Sequence, residues 1–353
     1  MSGSANIDNL ERRLDANWLH LREARARSLA TRVALQRLLA PFESEEVSVV
    51  VHGSLARDEF TSGSDLDWSL LVDGAADPKR HRLVREIDSR IAEVKAKKPG
   101  AEATFGTMVF SHDLVHYIGG QDDTNRNTTR RLLLLLESCC VSGEDPYHRV
   151  VRHILDRYVF EDRGLWKGSK YRVPRFLQND FARYWRTMTV DFAYKQRDRY
   201  GNGWALRNMK LRISRKLIYA SGLLACFRCH LDHTEESWNT LRKDEDRERL
   251  LVDYMSRGFQ QTPLEILADI LFRFPELDHS ARVLFDSYDA FVGVLADADK
   301  RKRLDTLTGT EADVDEVFQT TRQLSHSFRD GLLQLFFDEK SGIGELTRNY
   351  GVF

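Results

Sequence analysis

The stretch Val47-Ser-Val-Val-Val51-His52-Gly53-Ser54-Leu-Ala-Arg57-Asp-Glu-Phe-Thr-Ser-Gly-Ser64-Asp65-Leu66-Asp67-Trp68-Ser-Leu-Leu-Val72 decides how the rest of the chain is read. A mainly β-branched run ends in Gly-Ser, a short polar segment follows, and two aspartates then alternate with apolar residues on a second run of strand character. Residues two apart in a strand point to the same face, so Asp65 and Asp67 aim both carboxylates at one place while Leu66 and Trp68 turn away. Two carboxylates on one face repel each other unless a divalent cation sits between them. Mg²⁺ usually takes one or two carboxylates and completes its shell with water and substrate phosphates. Gly53 leaves room for backbone N–H groups to approach a phosphate, and Ser54 adds a hydroxyl donor beside them. These residue types in this order predict a metal and triphosphate site.

Gly-Ser followed after a short spacer by Asp-x-Asp on a strand resembles the active-site signature of the DNA polymerase β-like nucleotidyltransferases, through Gly53, Ser54, Ser64, Asp65 and Asp67. The likeness runs from about Val47 to Asp145. Within the superfamily it is most similar to the transferase domain of the PII-protein uridylyltransferases and their short relatives. Phe110-Ser-His-Asp-Leu-Val-His116 and Glu137-Ser-Cys-Cys-Val-Ser-Gly143 are weaker points of similarity. The resemblance implies an α+β fold: a mixed sheet with helices as catalytic core, followed by a mainly α-helical domain. The expected division is a long N-terminal helix over 1–44, the core over 45–146 and the helical domain over 147–353.

The same resemblance implies transfer of an NMP from an NTP to a hydroxyl of a protein or small-molecule acceptor, with release of pyrophosphate. It implies two Mg²⁺ ions, or Mn²⁺ in their place, on Asp65, Asp67 and a third carboxylate. Asp113, at the end of the expected third strand, is the first choice for that carboxylate and Glu102, at its start, the alternative. Gly53, Ser54 and Ser64 would contact the substrate. A helical domain in this superfamily commonly closes the nucleotide cleft with basic side chains, which brings in Arg207 and Lys210. Two other functions remain open: a synthase of cyclic or linear oligonucleotide signals, and an inactive nucleotide-binding regulator or toxin–antitoxin partner.

Lys plus Arg (53) nearly cancels Asp plus Glu (54) in the 353 residues, so no global field draws the protein onto nucleic acid or anionic membrane. Nucleic-acid binding would need a local basic patch. No run of about eighteen apolar residues and no signal-like region near Met1 occurs, so a cytoplasmic protein with no membrane partner is expected. The four cysteines fit a reducing compartment. Cys226-Phe-Arg-Cys229-His230 matches a haem-attachment pattern formally, but its place after the apolar Ile218–Ala225 run favours a buried helix end.

Around the central stretch, apolar spacing predicts one long helix over the first forty residues, resuming at Leu29 and Val33 and stopped by Pro41. Asp77-Pro78 opens a helix to about Lys97, Ala103 to Phe110 reads as a strand, and Thr128 to Glu137 as a helix buried on one side. A domain boundary is expected near Pro146. Trp204 to Leu224 reads as a helix whose Arg207, Lys210, Arg212, Arg215 and Lys216 suggest either an anion site or a solvated basic face. Glu311 to Glu339 reads as one amphipathic segment.

Overall fold

A computed structural model describes residues 3–94, 105–167, 170–171, 173–198, 201–232 and 244–351. The chain forms two compact units, one of residues 23–163 with 241–262, the other of residues 1–22 with 164–240 and 263–353. The first therefore runs past Pro146, which lies inside a helix, to Arg163.

The N-terminal region is two helices, α1 (Gly3–Arg13) and α2 (Leu19–Leu39), rather than one. The ladder breaks where Asp15 takes φ 47°, and the Glu11 carboxylate accepts from the Trp18 backbone N–H at 2.5 Å, satisfying a donor at the start of α2. The stripe along α2 also differs from expectation. Leu29 is 56% exposed, and Ser28 is buried instead. Its hydroxyl donates to the Ala24 carbonyl at 2.8 Å and accepts from Phe60 N–H at 3.1 Å, which makes a polar side chain tolerable there.

In the unit that contains most of α2, β1 (Val47–His52), β2 (Asp67–Val72), β3 (Thr107–Phe110) and β4 (Ser138–Ser142) form a mixed sheet in the order β3-β2-β1-β4. β2 and β4 run antiparallel to β1, and β3 runs parallel to β2. β1 is central and buried along its whole length, which explains its nearly unbroken Val content. On one face Val47, Val49, Val51, Leu66, Trp68, Leu70 and Val72 share a core with Leu35 and Leu39 of α2 and with Ile87 and Ile91 of α4 (Arg80–Ile91). α4 starts later than expected, with the Asp77 carboxylate accepting from Lys79 N–H at 2.9 Å.

The opposite face of the sheet is covered by α5 (Ser111–His116) and α6 (Asn125–Leu136), whose Leu114, Leu133 and Leu134 line a small cavity with His52, Ser69 and Leu71. Leu132 to Leu136 are all buried, not only on one side, because α6 lies between β4, α5 and α7 (Glu144–Glu161). α7 also packs on α11 (Asp244–Gly258).

Among the described residues the other unit is helical apart from the short β5–β6 ribbon, Trp166–Lys167 and Lys170–Tyr171, so the fold class is α+β. Its helices include α8 (Arg175–Asp198), α9 (Trp204–Lys210), a π turn at Leu211–Arg215, α10 (Lys216–Asp232) and α13 (Asp278–Ala296). Cys226 and Cys229 are buried in α10. The expected segment from Glu311 is interrupted: Val314 is 88% exposed, and Asp315 starts α16 (Glu316–Phe336) by accepting from Phe318 N–H at 2.9 Å. Among the described residues no helix is long and apolar enough to cross a membrane.

Candidate active site

The antiparallel register of β1 and β2 sets His52 opposite Asp67, so the strand end that leads into Gly53 lies beside the aspartates. Leu66 and Trp68 are buried at 1% and 0% exposure, whereas Asp65 is exposed and Asp67 half-buried. The alternation therefore turns Asp65 and Asp67 to one face. Gly53 has φ +66°, and a Cβ built on it would stand 3.1 Å from Asp67 Oδ2. The carboxylate thus rests against the bare glycine Cα. The left-handed backbone favours glycine here, and a Cβ would crowd the carboxylate. Ser54, half-buried, follows in the short turn α3 (Gly53–Ala56).

The turn is held from below by charges that the sequence reading did not single out. Arg57 N–H closes it on the Gly53 carbonyl at 3.0 Å, and Glu59 N–H donates to the Ser54 carbonyl at 2.8 Å. The buried Arg57 guanidinium donates to Glu59 at 3.0 and 3.1 Å and also to Glu137. From α2, Arg32 donates to the Leu55 carbonyl at 2.9 Å and pairs with Asp58. The only sequence signal for this network is charge inside apolar surroundings, such as Glu137 directly after five leucines. One strand position in from the aspartates, His52 Nε2 and Ser69 Oγ are 2.9 Å apart. Burial drives the His52 pKa down to about 4 against the opposing pull of Glu137, so the imidazole is neutral at pH 7.

Of the expected site residues, Gly53 and Asp67 come together; Ser54 follows the glycine in the turn, and Asp65 precedes Asp67 by two residues on the exposed side of the alternation. Ser64 is close in sequence but buried, with its hydroxyl 3.0 Å from Thr61 Oγ1 and accepting from Thr61 N–H at 3.1 Å; it closes the loop on itself. Asp113 stands apart. β3 runs parallel to β2 with Ser69 beside Thr107 and Val72 beside Phe110, so the chain reaches Asp113 after leaving the sheet at the end opposite Asp67. On the side of β3 where the chain enters, the Phe105 ring lies 5.5 Å from that of His52. Asp113 is 42% exposed, with His112 Nδ1 3.8 Å from its carboxylate. Glu102 lies outside the described residues. Among the described residues no group of three His, Cys, Asp or Glu side chains is placed to hold a metal.

The carboxylate chemistry of Asp65 and Asp67 fits Mg²⁺ or Mn²⁺, because such an ion takes one or two carboxylates when phosphates and water fill the remaining positions. Arg207 and Lys210 belong to the helical unit, on α9. There Arg207 donates to the Asn202 carbonyl at 2.6 Å.

No curated protein and no solved structure matches the chain. Residues 34–105, which contain the Gly53 turn and both aspartates, match the family model described as the nucleotidyltransferase domain. With the mixed sheet, that match supports a nucleotidyltransferase domain of the polymerase β-like superfamily within residues 34–105.

Proposed function

We propose that this domain transfers an NMP from an NTP to a hydroxyl on a protein or small-molecule acceptor, with release of pyrophosphate and dependence on a divalent cation. The observation that carries the reading is the contact between the Asp67 carboxylate and the Gly53 Cα, where a methyl group would stand 3.1 Å from Oδ2. A polyphosphate lying on the Gly53–Ser54 backbone is thereby brought against the acids. Asp65 and Asp67 would hold Mg²⁺, which when bound would neutralise charge on the reacting phosphate and its leaving group. Gly53 and Ser54 would bind the β- and γ-phosphates through N–H and hydroxyl donors, while the Arg57–Glu59–Glu137 network keeps the turn in place before substrate arrives. Arg207 and Lys210 would add positive charge to the triphosphate, a role taken from the superfamily resemblance. Similarity to PII-protein uridylyltransferases favours a protein acceptor.

The test is incubation with each α-labelled NTP and Mg²⁺, with and without cell lysate. Label transferred to a protein or a small hydroxyl compound supports the proposal. An oligonucleotide product formed without acceptor replaces it with a signal synthase. Bound but unreacted NTP under all conditions replaces it with a nucleotide-binding regulator.

A further inference from the structure

The helical unit concentrates positive charge that the active-site reading leaves unused. Arg212, in the π turn Leu211–Arg215, and Lys216, the first residue of α10, lie about one turn apart on one helical face. α16 packs against the π turn and carries Arg322, His326 and Arg329 at steps of four and three, hence also on one face. The two sets lie within electrostatic reach of each other. Burial, then the charges of Arg322 and Arg329, push the Arg212 pKa down; burial, then Arg212 and Arg329, do the same to Lys216. His326 is lowered by burial and by the three arginines, against a weaker pull from Asp330.

Among the described residues, no hydrogen bond or ion pair joins Arg212, Lys216 or Arg322 to a carboxylate. Arg329 pairs with its neighbour Asp330 at 2.7 Å. Arg212, Lys216, Arg322 and His326 are half-buried and Arg329 is exposed at their margin, and the mutual repulsion of the half-buried cations is a cost that a bound anion would relieve. Two further features mark the place. π turns are rare and concentrate at functional sites. One turn beyond Lys216, Tyr219 stacks on Trp185 of α8 with ring centroids 5.8 Å apart and planes at 19°, the kind of aromatic surface on which a nucleobase stacks.

We infer that Arg212, Lys216, Arg322, His326 and Arg329 form a second anion site, within the helical unit, that takes a phosphate-bearing ligand. The ligand is either a free polyphosphate or a single nucleic-acid strand, whose base the Trp185–Tyr219 pair would receive. The site is independent of the roles given to Asp65 and Asp67. It also differs from the expected Arg207–Lys210 contact, since its charge comes from two helices.

The experiment is fluorescence polarisation of a labelled single-stranded RNA oligonucleotide with the full chain across a salt series, and its competition by inorganic triphosphate. The Arg322→Ala/Arg329→Ala variant should bind about tenfold more weakly, and its salt slope should flatten by about 0.7 for each phosphate of the single strand that is no longer neutralised. Arg322→Lys/Arg329→Lys should retain most binding, which separates charge from a packing role, and Asp65→Asn/Asp67→Asn should bind as the parent does. Displacement by triphosphate assigns the site to a free polyphosphate; binding that triphosphate leaves in place assigns it to the strand. Absence of binding by either ligand, or unchanged affinity in a folded alanine variant, overturns the proposal.

Discussion

Gly53 and His52 show how single residues set the site. At Gly53 the φ of +66° costs an L-residue about 1–2 kcal/mol, and a Cβ would press on Asp67 Oδ2 at 3.1 Å. Gly53→Ala should therefore lower kcat by tenfold or more while Tm falls only a few degrees; wild-type turnover in this variant would show that the close approach has no catalytic purpose. His52 is held neutral by burial, with its pKa lowered to about 4 from 6.5. Between those values the unfolded chain binds the extra proton, so stability contributed by the neutral imidazole is complete above pH 6.5 and declines as pH falls toward 4. From pH 7 to pH 5 the loss amounts to about 2 kcal/mol. Urea midpoints should show this loss in the wild type and a smaller one in His52→Gln; equal losses would assign it to other groups. Arg57 pairs with two buried carboxylates, and Arg57→Met should cost about 3–5 kcal/mol by leaving Glu59 and Glu137 without it. A denaturation midpoint close to wild type would contradict that.

The elements differ in how much of them the sequence revealed, and the reasons are physical. β1 and β2 were legible because a β-branched run and a two-residue alternation act locally. β4 was not expected as a strand: Ser138 to Ser142 is short, and only its pairing to β1 makes it one. Gly143, just after it, has φ +76°, and a Cβ there would lie 2.2 Å from the Val47 carbonyl oxygen. Gly143→Ala should thus separate β4 from the sheet and lose more stability than Gly53→Ala. Faster hydrogen exchange in 138–142 is the measurement, and unchanged protection there would refute the explanation. The break between α1 and α2 was illegible because the apolar spacing continues across it; a positive φ at Asp15 and the Glu11 carboxylate, neither visible in periodicity, stop the ladder. The choice of a third carboxylate is not legible in periodicity either. Choosing Asp113 needed the direction of β3, and a parallel strand carries its end away from Asp67.

Across the molecule, the chain divides into a sheet-containing unit and a helical unit. The nucleotidyltransferase match, over residues 34–105, lies within the first. The helical unit lacks so compact a signature, since charge along a helix reads equally as ligand site or solvated face, and only packing of α16 on the π turn distinguishes the two. If Lys210 serves the triphosphate, Lys210→Ala should raise the KM for NTP several-fold with little change in kcat; an unchanged KM would confine that side chain to the helical unit. Everything else rests on the two acids beside Gly53. Mg²⁺-dependent release of pyrophosphate from the labelled NTP, compared between the wild type and Asp65→Asn/Asp67→Asn, tests that most directly. The account predicts loss of release to background in a variant whose circular dichroism and melting match the wild type. Undiminished release from that folded variant would contradict it.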